Sequence, residues 1–246
     1  MGELREGRIG FSSMNVKKIS ILIPAYNEVQ TLPEIIRRVR AAPVGNIEKE
    51  IIVIDDGSDD GTREFLSRET GIITIFHELN QGKGGAIRTG FAHATGDILI
   101  IQDADLEYDP RDYGALIEPI REGSADVVFG SRFITGKPHR VLYYHHYLAN
   151  RFITSFSNIC TNLNLTDIET GYKVFTKRVA RELAPRLISN RFGIEPELTA
   201  RVARLKARIY EVGVSYYGRG YAEGKKIRWR DGIAALWHII RFNFFS

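Results

Sequence analysis

Two carboxylates stand two residues apart in Asp103-Ala104-Asp105, directly after the apolar run Ile98–Ile101. So placed, they can share a hard divalent cation, Mg2+ or Mn2+, and through it a diphosphate. Such cations take oxygen ligands and often only one or two protein carboxylates, with phosphate and water completing the shell. Asp-x-Asp is also ordinary turn chemistry, so the weight lies in its position after a buried run. Asp55-Asp56-Gly57-Ser58 follows another such run. A carboxylate there can accept hydrogen bonds from a base N–H or from ribose hydroxyls. Pro24-Ala25-Tyr26-Asn27-Glu28 offers a ring for stacking on a base and a further carboxylate. Gln81-Gly82-Lys83-Gly84-Gly85-Ala86 opens a helix; its glycines permit close backbone approach and Lys83 can reach a phosphate, although the spacing is not that of a P-loop. From Arg201 to Arg230 nine basic residues face only Glu211 and Glu223. That imbalance suits an anionic partner such as phosphate, nucleic acid or acidic lipid, and the stretch Arg201 to Arg208 suits a solvated helix face equally well.

These groups need elements to hold them. The sequence alternates strand-like and helix-like segments through its first half. Ile19–Ala25 reads as a strand, and Thr31-Leu32-Pro33-Glu34 as a capping box opening a helix. Strand Glu50–Ile54, a helix from about Asp60 to Ser67, strand Ile72–Phe76, helix Gly84–Ala94, strand Asp97–Ile101, helix Arg111–Arg121 and strand Asp126–Gly130 follow. The pattern predicts an α/β fold, a mainly parallel sheet flanked by helices on both faces. Ligands of such sheets bind beyond the carboxyl ends of the strands. The polar motifs fall there: Pro24–Glu28, Asp55–Ser58, Asp103–Asp105 and Ser131-Arg132. The second half is less regular. Val141–Asn158 reads as an aromatic helix, Asp167–Phe175 as a loop entering a strand, Gly193–Ala207 as a helix and Arg208–Tyr217 as a strand. Trp229–Phe244 has apolar residues at helical spacing.

Composition narrows the classes. The chain has 246 residues, 43% hydrophobic and 26% charged, with a net charge of +4. That fits one globular α/β domain and excludes wholesale disorder. Cys160 is the single cysteine, which excludes an intrachain disulfide and a cysteine-based zinc site and suits a reducing compartment. No apolar stretch approaches the ~20 residues of a membrane span. Residues 1–16 read as a disordered tail, 17–228 as one domain and 229–246 as an amphipathic helix.

Taken together, IPAYNE, IDDGSDDGT, GKGGAIRTG, DADLEYDP and GSRF occur in order. The set resembles family-two glycosyltransferases of the Rossmann-like GT-A fold, over roughly residues 18–230. Within them it is similar to the dolichol- and polyprenol-phosphate mannosyl and glucosyl transferases. Glu169-Thr170-Gly171-Tyr172-Lys173-Val174-Phe175 and Arg219…Glu223-Gly224-Lys225-Lys226 point the same way. The resemblance implies that Pro24, Tyr26, Glu28, Ile54 and Asp56 contact the nucleotide. It implies that Asp103, Ala104 and Asp105 hold the donor diphosphate, with Asp103 and Asp105 bearing on Mg2+ or Mn2+. Arg132, Arg219 and Lys225 are implied to meet phosphate, and Asp105, Arg132 and Lys225 to carry the transfer. The role of Glu107 stays open, because some relatives have an amide there. Lys225 stands where the processive Gln-x-x-Arg-Trp signature has glutamine, which argues against a cellulose-type synthase.

The implied activity is metal-dependent, inverting transfer of a hexose from a nucleotide sugar, GDP-mannose ahead of UDP-glucose, to a polyprenyl or dolichyl phosphate. An ionised phosphate acceptor needs cations to offset repulsion rather than a general base. A saccharide acceptor would need a base, for which Glu195 and Asp167 are the candidates. His145-His146 read as packed or surface histidines. The lipid acceptor implies a peripheral protein on the cytoplasmic face of a membrane, with no nucleic-acid partner. Trp229–Phe244 is one candidate lipid contact, equally readable as a helix docked on the domain; the aromatic Val141–Phe156 segment is a second, although aromatics at helical spacing more often belong to a core.

Overall fold

The structure, a computed structural model, describes residues 13–134, 140–141, 143–191, 193–218 and 229–245, and for residues 229–231 the backbone only. Its centre is a seven-stranded sheet in the order β3-β2-β1-β4-β6-β5-β7. The strands are β1 (Lys18–Ala25), β2 (Glu48–Asp55), β3 (Ile73–Phe76), β4 (Ile98–Ile101), β5 (Val127–Ser131), β6 (Lys173–Thr176) and β7 (Ile209–Gly213). The helices are α1 (Leu32–Ala41), α2 (Thr62–Arg68), α3 (Lys83–His93), α4 (Tyr113–Arg121), α5 (Tyr144–Thr161), α6 (Lys177–Leu183), α7 (Ile194–Arg204) and α8 (Trp229–Phe244).

Alternating side chains feed two cores, one on each face of the sheet. Ile19, Ile21 and Ile23 of β1, with Ile98 and Ile100 of β4, join the residues of α1 and α4. Leu22, Leu99 and Ile101 face the other way, onto α3, α6 and α7. Strands buried on both faces explain the unbroken apolar runs in the sequence.

The sheet is parallel except at β6, which runs antiparallel to both β4 and β5. The reversal matters for function. Lys173, the first residue of β6, pairs in register with Ile101, the last of β4. The segment entering β6 therefore reaches the same edge of the sheet as the segments leaving β1, β2, β4 and β5.

One local expectation is corrected. Thr31 and Glu34 do not form a capping box. Thr31 Oγ1 donates to Glu28 Oε2 at 2.7 Å, and Glu34 pairs with Arg37 and Arg38, both at 2.7 Å. Two guanidiniums within one helical turn outcompete a backbone amide for that carboxylate. At the amino end, Met14 N donates to Arg121 O at 2.8 Å, so the chain is docked on the domain from there.

Candidate active site

The site forms where these segments meet. Asp103 and Asp105 sit in the loop leaving β4 and both keep accessible surface. Ala104 between them is buried, which turns the two carboxylates outward from the core. Asp105 Oδ1 accepts from Glu107 N at 3.1 Å. Gly171 packs onto Asp103: a Cβ there would lie 2.1 Å from Asp103 Oδ2. Its backbone is fixed by Gly171 N donating to Tyr108 Oη at 2.8 Å.

A row of alternating charges runs from Asp103 into the protein. Lys83 Nζ lies 2.7 Å from Asp103 Oδ1 and 2.9 Å from Glu195 Oε1. Glu195 Oε2 in turn accepts from Lys173 Nζ at 2.8 Å. Lys173 is fully buried and also donates to Ile168 O at 3.0 Å and Thr170 O at 2.6 Å, which fills its three N–H groups. Burial alone would depress the Lys83 pKa, but Asp103 and Glu195 outweigh it and hold the ammonium well above its ordinary value. Burial would likewise raise Glu195, yet Lys173 and Lys83 keep it below the usual carboxylate value.

The start of α3 shows why the sequence is glycine-rich there. Gly82 has φ +79°, and a Cβ on it would lie 2.2 Å from Asn190 O. Gly84 N donates to that same oxygen at 2.8 Å. The glycines admit the 189–190 segment that leads into α7, and Lys83 lies within reach of Glu195 in the first turn of α7.

Arg132, just past β5, is held in a fork by buried Asp167. Its Nε reaches Asp167 Oδ2, and one terminal nitrogen reaches Oδ1, both at 2.7 Å. The guanidinium also lies 5.2 Å over the Tyr216 ring. Burial opposes its charge, and Asp167 more than restores it. Glu107 accepts from Tyr216 Oη at 2.9 Å, so this carboxylate anchors the segment after β7.

The nucleotide-facing candidates differ in what they can offer. Tyr26 is exposed, and Pro24 and Glu28 are half-buried at the end of β1. Ile54 is fully buried, with its side chain among the residues that meet α3, which leaves its backbone for any ligand contact. Asp56 is committed within the protein. It accepts from His77 Nδ1 at 2.7 Å, Gln81 N at 2.9 Å and Gly82 N at 2.6 Å. Arg219, Lys225 and Lys226 lie outside the described residues.

Two participants were not singled out by sequence. Lys173 stood only as a motif letter, and its full burial in the interior strand β6 runs against its residue type. Glu169 has one carboxyl oxygen sealed from solvent without a hydrogen-bond partner. Burial, then repulsion from Glu195, raises its pKa to about 7.

The described residues contain no cluster of three or more metal-ligating side chains. An oxygen-only pair fits Mg2+ or Mn2+ that draws its remaining ligands from a diphosphate and water. The position of the Lys83 ammonium shows that Asp103 already receives a cation.

The profile of glycosyl transferase family 2 matches residues 20–184, well over half of the sequence. The chain belongs to glycosyl transferase family 2. It is accordingly a hexosyltransferase. An undecaprenyl-phosphate mannosyltransferase of Micrococcus luteus is 30% identical to the transferase over 244 residues, covering 91% of this chain and 98% of the relative. Glucosyl-3-phosphoglycerate synthase of Mycobacterium tuberculosis, solved with Mn2+, UDP and phosphoglyceric acid, superposes with a TM-score of 0.72 at 20% identity. That match covers 94% of the transferase and 80% of the synthase. The same synthase with Mg2+ and UDP gives a TM-score of 0.69, also at 20% identity, over 92% and 79% of the two chains. These likenesses establish the GT-A fold for the transferase.

Proposed function

We propose that this transferase moves a hexose, mannose ahead of glucose, from a nucleotide sugar to a polyprenyl phosphate at a membrane surface. One observation carries the choice of acceptor. Both carboxylates that a hydroxyl acceptor would call on as base, Asp167 and Glu195, are bound to cations, Arg132 for one and Lys83 with Lys173 for the other. Both oxygens of Asp167 are occupied by the Arg132 guanidinium. The two lysines hold Glu195 below the usual carboxylate value, which makes it a weak proton acceptor. An ionised phosphate needs none. The undecaprenyl-phosphate mannosyltransferase relative supports the same reading.

In the proposed reaction a phosphate oxygen of the acceptor forms a bond to the anomeric carbon as the bond to the donor diphosphate breaks. The nucleoside diphosphate leaves with the electron pair. A divalent cation on Asp103 and Asp105 supplies positive charge to that diphosphate when bound. Lys83, fixed and charged at the same edge, adjoins it. Tyr26 stacks on the base, Pro24, Glu28 and the Ile54 backbone line the nucleoside, and Asp56 shapes its wall by holding the 77–82 loop. Arg132 faces the acceptor phosphate, joined by Arg219 and Lys225. In-line attack gives a β-linked sugar phosphate.

The lipid tail of the acceptor calls for an apolar surface. Along α5, Tyr144, Leu148, Phe152 and Ile159 are exposed at helical spacing, and on α8 Ile233, Trp237 and Phe244 are exposed. The opposite side of α8 buries Ala235, Ile239 and Phe242 against the domain. The helix is thus docked and still presents an apolar face, which suits peripheral contact with the cytoplasmic leaflet. Among the described residues no helix is long and apolar enough to cross a membrane.

Glu169 favours a second reading, a saccharide acceptor, because a carboxyl titrating near 7 is a competent base. The deciding experiment offers GDP-mannose and UDP-glucose with Mn2+ or Mg2+ to a polyprenyl phosphate and to a saccharide panel, with products read by mass spectrometry. Lipid-linked hexose from GDP-mannose is expected; product on saccharides alone overturns the acceptor assignment.

A further inference from the structure

Glu195 occupies an unusual place for a carboxylate at the edge of an active site. It is almost fully buried, and each of its oxygens meets a different lysine. Lys173 cannot release it, since the remaining N–H groups of that lysine are taken by Ile168 O and Thr170 O. Glu195 is therefore a fixed point, and Lys83 is the partner it orders: a four-carbon side chain at the first residue of α3. A free lysine of this kind loses rotamer entropy when it is immobilised. Here that ordering is complete before any ligand arrives.

The ammonium of Lys83 has three N–H groups. Asp103 and Glu195 receive two, and among the described residues no third acceptor meets it. Its side chain keeps 22% of its surface accessible, so the third N–H can reach a ligand. We infer that Glu195 is a positioning residue for donor binding: it holds the Lys83 ammonium beside Asp103 with one N–H left over for a phosphate oxygen of the donor. The inference rests on the reading of Asp103 as the donor-diphosphate site. It assigns Glu195 a role distinct from proton transfer, and it explains why a buried lysine stands behind Glu195. Lys173 balances the charge, so that the carboxylate holds Lys83 without being drawn toward it. When Asp103 engages a cation and the diphosphate, Lys83 keeps its second anchor.

The test is a double-mutant cycle on the full chain, read as the Kd for GDP and for UDP in the presence of Mn2+ by calorimetry. Lys83→Met and Glu195→Gln are each expected to weaken the nucleoside diphosphate about tenfold. In the Lys83→Met background the second change is expected to cost almost nothing, because it acts through Lys83. Glu195→Gln leaves Lys173 buried and unpaired, which threatens folding. Lys173→Met/Glu195→Gln removes both charges and is expected to show the same loss. Equal cost of Glu195→Gln in both backgrounds overturns the inference. So does wild-type affinity with a reduced kcat, the signature of a general base. A wild-type protein that binds neither nucleotide contradicts the donor site itself, an outcome distinct from a failure of the cycle.

Discussion

Asp103 is touched from two sides, by the Lys83 ammonium at 2.7 Å and by the backbone of Gly171. Neither contact tolerates much change. Asp105→Asn keeps the volume and removes the charge; kcat/KM is expected to fall by about 10²–10³ with an unchanged melting temperature. Gly171→Ala places a methyl 2.1 Å from Asp103 Oδ2 and must displace that carboxylate. Donor turnover is expected to drop by about 10², measured as kcat/KM at saturating acceptor. Glu169 makes a prediction about stability instead. Its folded pKa, about 7, lies above the ordinary 4.5, so the folded state binds the proton more tightly than the unfolded chain. Stability from this group is full below about pH 4.5 and declines as pH rises toward 7. Glu169→Gln is therefore expected to be the more stable protein above pH 7, by at most ~3 kcal/mol, and to lose that advantage at pH 4.5. Denaturant melts at both pH values check it. The acid pair, Tyr26 and Arg132 were legible as residue types after strands. The partners of Glu195 and Asp56 were not, because an ion pair between residues far apart in sequence leaves no local mark.

At the scale of elements, α8 was legible to its ends, Trp229–Phe244, because its apolar period is complete within the segment. Its two apolar faces separate experimentally. Phe242 is 1% exposed, and Phe242→Ala is expected to cost about 3–5 kcal/mol in denaturant unfolding. Trp237 is 58% exposed, and Trp237→Glu is expected to leave folding within about 0.5 kcal/mol while lowering co-sedimentation with anionic liposomes severalfold. Unchanged sedimentation of Trp237→Glu would count against membrane contact through α8. The first five strands and four helices were read within a few residues, since each is an apolar run closed by turn residues. The direction of β6 was not. Four residues buried on both faces look alike in either direction, and only pairing with β4 and β5 fixes the reversal. The glycines of GKGGA were read as room for a close backbone approach, and the backbone that approaches is the segment 189–190 of the chain itself.

Across the whole molecule, the candidate site lies at one edge of the sheet; in the proposed function loops from β1, β2 and β4 would supply the donor side and those around β5 and β6 the acceptor side. The row Asp103–Lys83–Glu195–Lys173 joins the two, because Lys173 fixes the carbonyls of Ile168 and Thr170 in the same loop that presents Asp167 to Arg132. In the proposed function, donor and acceptor would share this one charge network. The most direct measurement is transfer of labelled hexose to a polyprenyl phosphate in liposomes, with and without divalent cation, by the wild type and by Asp103→Asn/Asp105→Asn. Cation-dependent, lipid-linked product from the wild type and none from the variant is the predicted result. Undiminished transfer by the variant, or transfer to the lipid phosphate that ignores chelation, would contradict it.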